Sequence, residues 1–140
     1  MSGKFTDIKN SLCDKSIYHL LVPSVFNPTP ERLLSRAEKY QADDKVKAYA
    51  YADNGEYKGI IVFKIKEQTA EILDIAVKPE YQGQGIGSML IDYIFSQFAV
   101  SKIIAETDDD AIRFYKKYGF TVVDITVKFD AKRYTCVKNK

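Results

Sequence analysis

Ile72-Leu73-Asp74-Ile75-Ala76-Val77-Lys78-Pro79-Glu80-Tyr81-Gln82-Gly83-Gln84-Gly85-Ile86-Gly87-Ser88 decides the reading of this chain, because an apolar run, a proline and a glycine-rich loop follow one another directly. Ala70 to Val77 reads as a strand, and Pro79 stops it: proline donates no backbone N–H and biases the residue before it away from helix. The glycines then open a helix. From Gly85 to about Phe98, residues Ile86, Met89, Leu90, Tyr93, Ile94 and Phe98 recur at helical spacing and form one apolar stripe. Successive N–H groups with little side-chain cover, at the positive end of a helix dipole, make a site for phosphate. A Cβ at Gly83, Gly85 or Gly87 would hold a phosphate away from the amides or forbid positive φ. The plainer alternative is a flexible, glycine-rich helix start, and spacing alone does not choose between the two.

Downstream, Lys102 to Glu106 is a short strand that follows a strand and a helix, so it is expected parallel to Ala70–Val77 through a right-handed crossover. Asp108-Asp109-Asp110 opens a last helix with Asp108 as N-cap, and Ala111, Phe114, Tyr115 and Tyr118 share one face. Gly119 then suits a left-handed helix end, with Phe120 packing back. Closing strands are expected at about Thr121–Lys128 and Arg133–Val137, joined by Phe129-Asp130-Ala131-Lys132. Upstream, Val46–Ala52 and Tyr57–Ile65 flank Asn54-Gly55, a strong hairpin signal, and a turn near Gln68 leads into the central strand. Connections this short make an antiparallel meander. Earlier still, Thr29 as N-cap with Pro30 and Glu31 starts a helix that runs to about Gln41. The first third is least legible: Ile17 to Phe26 is apolar but aperiodic, with Pro23 inside it.

Length and composition set bounds on the class. A chain of 140 residues, 46% hydrophobic and 29% charged, has room for one ordinary domain over 1–140 and a real core, which excludes a disordered or disulfide-built chain. Lys+Arg of 21 against Asp+Glu of 19 leaves +2, too mild for the electrostatic footprint of a nucleic-acid binder. Cys13 and Cys136 lie far apart and His19 is the single histidine, so no metal-ligand set is expected. No signal core or membrane-length apolar run is present. The expectation is a soluble, cytoplasmic protein, monomer or homodimer, with no nucleic-acid or membrane partner.

Two phosphate motifs compete with the plain loop. A P-loop needs Lys before its terminal Ser/Thr, and Gly87-Ser88 lacks it. The dinucleotide fingerprint fits better: Gly83 and Gly85 match, Ser88 replaces the third glycine, and Glu106 stands where a ribose-binding acid would. Against it, a meander precedes the motif, and the chain after Glu106 is too short for a second mononucleotide half.

The stretch Ile72 to Gly87 resembles the central strand, loop and pyrophosphate motif of the GNAT superfamily of acetyl-CoA-dependent N-acetyltransferases, of form Gln/Arg-x-x-Gly-x-Gly/Ala. Ala111-Ile112-Arg113-Phe114-Tyr115-Lys116-Lys117-Tyr118-Gly119-Phe120 is similar to its second signature. The matched region covers roughly residues 46–128. The resemblance implies an α+β fold: a central mixed, mostly antiparallel twisted sheet of about six or seven strands flanked by about four helices. It implies acetyl-CoA as co-substrate, with backbone amides of Gln82, Gly83, Gln84, Gly85, Ile86 and Gly87 on the pyrophosphate and Ser88 close behind. The pantetheine arm would pair like a strand with Ile75, Ala76 and Val77, where the parallel strands splay. Where the family often has a cofactor-contacting Asn, this chain has Asp108, which accepts but cannot donate an amide N–H.

Acetyl transfer needs a neutral amine, a donor for the carbonyl oxygen and a proton for the departing thiolate. The resemblance assigns the last to Tyr115, which also fits as a core tyrosine; Tyr118 fits the structural role better. For the base, Glu106, Glu71 and Asp74 remain open, Glu71 and Asp74 being expected on opposite strand faces. Glu106 resembles the base position of some subfamilies. His19 and Cys136 fit structural roles, so direct attack in a ternary complex is expected over an acetyl-cysteine. The acceptor is a small-molecule or peptide/protein amine; a non-catalytic CoA-binding regulatory module is the alternative.

Overall fold

Each expected element is present, with additions at the N-terminus, in the computed structural model, which describes residues 3–140. The strands are β1 (Lys4–Asp7), β2 (Val46–Asp53), β3 (Glu56–Lys66), β4 (Thr69–Val77), β5 (Lys102–Thr107), β6 (Thr121–Lys128) and β7 (Ala131–Asn139). They form one 7-stranded sheet in the order β1-β2-β3-β4-β5-β7-β6. All neighbours pair antiparallel except β4 and β5, which are parallel. The helices are α1 (Lys15–Tyr18), α2 (Pro30–Ala42), α3 (Ile86–Gln97) and α4 (Ile112–Tyr118).

Local chemistry explains the junctions. Asn54 and Gly55 both have positive φ, 53° and 76°, as a two-residue hairpin turn between twisted strands requires. Thr29 Oγ1 accepts the Arg32 N–H at 3.2 Å and starts α2 behind Pro30. Gly119, at φ 122°, ends α4, and Phe120 donates its N–H back to the Tyr115 carbonyl at 2.9 Å. Asp108 was expected as the N-cap; its Oδ1 accepts from Asp110 and Ala111 at 3.1 and 3.0 Å in the turn before the helix, which begins at Ile112 with Ala111 as N-cap.

The sheet separates two cores. On one face α3 and α4 bury Ile86, Leu90, Ile91, Ile94, Ile112 and Tyr115 against Phe63, Ile72, Ile103 and Cys136. On the other, Leu12, Ile17, Leu20 and Leu21 join Leu33 and Ala37 of α2 over Ala48, Ala50, Ile60 and Val62. A fully buried Leu or Ile contributes about 1.5–3 kcal/mol, so the aperiodic run, which buries Ile17, Leu20 and Leu21, contributes to the fold on the same scale as the stripe on α3. It does so across the single turn of α1 and a 3₁₀ segment, His19–Ser24, where no sustained 3.6-residue period exists.

Three features depart from the sequence reading. β1 was not expected; it pairs with β2 from Lys4↔Ala52 to Asp7↔Tyr49, and Phe5 stacks on Tyr93 of α3 at 4.4 Å. The β6–β7 turn is two residues, Phe129 and Asp130, both at positive φ, so β7 is longer than the expected Arg133–Val137. The third lies in the central strand. Val62 pairs with Asp74 but Phe63 pairs with Ile72, so Leu73 is an extra residue, a β-bulge. Alternation breaks there. Glu71 lies opposite Lys64 and Asp74 opposite Val62, two residues apart on β3, so both carboxylates are on the α2 face and not on opposite faces.

Candidate active site

β4 and β5 pair only from Thr69↔Lys102 to Ile72↔Ala105. Beyond the bulge the two strands part, and one edge of β4 has no neighbouring strand. Lys78 donates its N–H to Lys58 at 2.9 Å; by antiparallel alternation Ala76 then bonds to Ile60, while Ile75 and Val77 turn their N–H and C=O groups into the gap. Of the three residues expected to offer backbone there, Ala76 is therefore committed to β3.

The glycine loop stands at the end of this gap. Gly83 and Gly85 have φ of 82° and 86°, and a Cβ on either would meet no protein atom within 4 Å: the space above them is open. Gly87 differs. A Cβ there would lie 2.9 Å from Phe114 Cε1, so its glycine lets α4 approach α3. The first helical bond of α3 runs from Met89 to Gly85 at 3.0 Å. The backbone N–H groups from Gly83 through Ser88 thus have no acceptor among the described residues. Gln82, expected to offer its amide as well, does not: its backbone N–H donates to the Pro79 carbonyl at 3.4 Å, and its Nε2 donates to the Val77 carbonyl at 3.0 Å and ties the loop to β4. Further back, Tyr81 donates to Glu56 at 2.6 Å and Lys78 Nζ binds the same carboxylate at 3.1 Å. These bonds fasten the loop's entry to the β2–β3 hairpin and hold the Glu56 carboxyl below its ordinary range.

An array of free amides at a helix start fits the two charged phosphates of a pyrophosphate, and an unpaired strand edge fits the amide-bearing arm of acetyl-CoA. Tyr115 is buried in the same core as Ile72 and Ala105, the last pair of the seam, its ring edge-on to Phe114 at 5.2 Å and Phe120 at 5.1 Å. Its hydroxyl has no hydrogen-bond partner among the described residues. Burial, and then the nearby Cys136, Asp74 and Asp108, push its pKa well above the usual tyrosine range and keep it protonated. Asp108 is occupied by the two amides it caps.

The three carboxylates have different surroundings. Asp74 is 6% exposed and accepts from Arg36 Nη1 at 2.7 Å and from the Tyr40 hydroxyl. Burial first, and then the charge of Asp74, raise the Tyr40 pKa, so that phenol stays a donor. Glu71 is exposed on the paired half of β4, opposite Ile104, away from the gap. Glu106 is the first residue of β5 past the last pairing with β4, so it stands at the mouth of the gap. It lies opposite Thr135 and is held by Arg133 Nε at 3.0 Å. Nothing in the sequence announced Arg36 and Tyr40 as partners of Asp74; their i, i+4 spacing puts them on one side of α2 but not against β4. Beside them opens a cavity of about 580 Å³ lined in part by Phe26, Arg32, Arg36, Lys39 and Tyr40. Among the described residues, no group of His, Cys, Asp and Glu could hold a metal ion, and no helix is long and apolar enough to cross a membrane.

Comparison with known proteins identifies the family. An N-acetyltransferase of Pyropia yezoensis, named ycf52 and uncharacterised, is 30% identical over 93 residues, 63% of this chain and 47% of that protein. Its namesake in Gracilaria tenuistipitata var. liui is 37% identical over 54 residues, 36% of this chain and 30% of that one. The chain thus matches less than half the length of either curated relative. Among solved structures, a GNAT family acetyltransferase from Elizabethkingia anophelis with acetyl-CoA bound superposes with a TM-score of 0.76 at 20% identity, covering 99% of both chains. The ribosomal-protein-S18-alanine N-acetyltransferase of Escherichia coli gives 0.76 at 17%, over 98% of this chain and 93% of that one. Those two share the fold, a mixed α+β sheet with flanking helices. The pattern described as Acetyltransferase (GNAT) family matches residues 15–120, and with most of its length inside that match this chain belongs to the GNAT family.

Proposed function

We propose that this chain transfers the acetyl group of acetyl-CoA to an amine, by direct attack while both substrates are bound. The observation that carries the reading is the conjunction of the unpaired β4 edge with the unoccupied amides from Gly83 through Ser88 at its end. The amides of Gly83, Gln84, Gly85, Ile86, Gly87 and Ser88 hold the pyrophosphate, Gln82 fixing the loop that presents them. Ile75 and Val77 bind the pantetheine amides. A backbone N–H of β4 near Val77 polarises the acetyl carbonyl as its oxygen gains charge.

The reaction forms a nitrogen–carbon bond and breaks the carbon–sulfur bond. An alkylammonium near pKa ~10.4 must first lose a proton. Glu106 receives it through water: of the three carboxylates it alone is at the gap and open to solvent, Asp74 being buried with its own partners. Tyr115, kept protonated, donates to the sulfur as the thiolate leaves. The tetrahedral adduct sheds the nitrogen's second proton as it collapses, and this proton makes good the one Tyr115 gives the sulfur, so the alkylammonium loses two protons, one to Glu106 and one by way of Tyr115 to the CoA thiol. Cys136 takes no part: its thiol is buried, pushed up to about 11 by desolvation, and its Sγ lies 3.6 Å from the Ala105 carbonyl. The amine is a small molecule or a peptide or protein amine, entering from the α2 face.

Release of free CoA from acetyl-CoA, followed with a thiol reagent across a panel of amines, tests the reading. Acceptor-dependent release supports it, and Tyr115→Phe should then lower kcat by roughly 10²–10⁴-fold with cofactor affinity kept. Tight acetyl-CoA binding without release for any acceptor would instead identify a CoA-binding regulatory module.

A further inference from the structure

β6 is an outer strand of the sheet, yet it is long and apolar where edge strands are ordinarily short or charged. Of the five exposed large apolar side chains among the described residues, four lie on it or on its turn: Val123, Ile125, Val127 and Phe129. The register sorts its faces. Ile125 and Val127 lie opposite Tyr134 and Lys132, on the side of α4, while Asp124, Thr126 and Lys128 occupy the other side. The two-residue turn closes on Lys128↔Ala131, so Lys128, Thr126 and Asp124 bond to β7, and Ile125 and Val127 turn their N–H and C=O groups outward.

We infer that two copies of this chain associate through β6, the strands pairing antiparallel about a two-fold axis at Thr126. In that register the strand is complementary to itself. Ile125 meets Val127 of the second copy, and because these two residues have the outward backbone groups, each such pair exchanges two hydrogen bonds. Asp124 meets Lys128 of the second copy on one side of the joined sheet, and the paired stretch ends at Val123, the extra residue of a bulge in β6, and at the Phe129 turn. Ile125 and Val127 are each covered by the other's counterpart, and Asp124 and Lys128 face each other, in a closed isologous contact. Neighbouring registers lose this. Moving the axis to Ile125 sets Asp124 against Thr126, and moving it to Val127 sets Asp124 against Asp130. In the single chain Asp124 Oδ1 accepts the outward N–H of Ile125 at 3.0 Å. Its turn toward Lys128 of the second copy frees that amide for the new ladder. The contact is remote from the glycine loop and does not depend on acetyl transfer.

Light scattering of the full chain at high micromolar concentration should give twice the monomer mass. Asp124→Lys and Lys128→Asp, each of which sets like charges face to face, should each give the monomer, and the two together should restore the dimer. Thr126 meets its own copy as a non-hydrogen-bonded pair, with Cα atoms about 4.5 Å apart, close enough for a disulfide. In a Cys13→Ser background, Thr126→Cys should therefore cross-link on mild oxidation while Ile125→Cys does not. A wild-type chain that stays monomeric overturns the proposal, and so does a dimer that survives both single charge reversals without a cross-link at Thr126. Circular dichroism checks that every variant is folded.

Discussion

Asp74→Asn asks whether the carboxylate on β4 is architecture or chemistry. Its oxygen accepts from Arg36 at 2.7 Å and from Tyr40, and the residue is buried. A hydrogen bond to a charged group is worth about 1.5–3 kcal/mol and a neutral one about 0.5–1.5, so removing the charge costs about 1 kcal/mol per bond. The Arg36 share is discounted because its side chain is 36% exposed and can find water. A total of about 1–2 kcal/mol remains. With an unfolding entropy of about 2.1 cal/mol/K per residue over 140 residues, that is a fall in Tm of about 3–7 °C. Arg36→Met should cost more than Asp74→Asn, since it strands a buried carboxylate and not a guanidinium that water can reach. Thermal melts, run beside CoA-release kinetics, read both quantities. An unchanged Tm, with turnover down by roughly 10²–10⁴-fold and recovering as pH nears the amine's pKa, would sink this reasoning and make Asp74 the base.

The other expectations concern the loop, the second carboxylate and the thiols. Acetyl-CoA should raise the melting temperature and NAD should not; Gly85→Val should abolish the shift, and its left-handed backbone, φ 86°, should add a strain cost of about 1–3 kcal/mol. Glu106→Gln should lower kcat/KM most near neutral pH and recover as free amine accumulates; a loss flat with pH would reduce Glu106 to a partner for Arg133. Glu56, whose carboxyl is held low by Tyr81 and Lys78, favours the fold above its ordinary value of 4.5 and loses that contribution as pH falls below it. Glu56→Gln should accordingly flatten the acid limb of Tm against pH, and an unaltered limb would count against the link. For Cys136 the sign is reversed: a thiol raised from 9.0 to about 11 is favoured below pH 9 and loses its contribution as pH rises through 11. Native protein at pH 8 should therefore react with a thiol reagent at Cys13 alone, and a second rapid equivalent would contradict the packing.

What was legible in the sequence was whatever rested on a local rule. The Asn54-Gly55 turn, the Thr29 cap, the stripe on α3 and the Gly119 stop each depend on a few adjacent residues, and each stands as read. β1 was missed because four residues at an edge have too little pattern to separate from coil. The β6–β7 turn was placed but read two residues too long, for a different reason: neither Phe129 nor Asp130 ordinarily favours positive φ as strongly as glycine does, so the strands on both sides must impose it. The site divides along the same line. Glycines and helix start are contiguous and were found; the Asp74–Arg36–Tyr40 cluster joins α2 to β4 through a bulge that no alternation rule anticipates, and the bulge itself moved Glu71 and Asp74 to one face.

The short β4–β5 seam also bears on how the chain folds. On one side of it β2, β3 and β4 are consecutive hairpins, and on the other β6 and β7 are another; both assemble from neighbours in sequence. The seam joins residues about thirty positions apart, and its four rungs return little for the loop that must close to make them. Between these two halves it is the late step. A ligand lying along the parted edge has no surface to hold until that step is over. Acetyl-CoA should accordingly leave the refolding rate of this chain unchanged and act on the unfolding rate alone, which makes occupancy of the gap a determinant of how long the native state lasts.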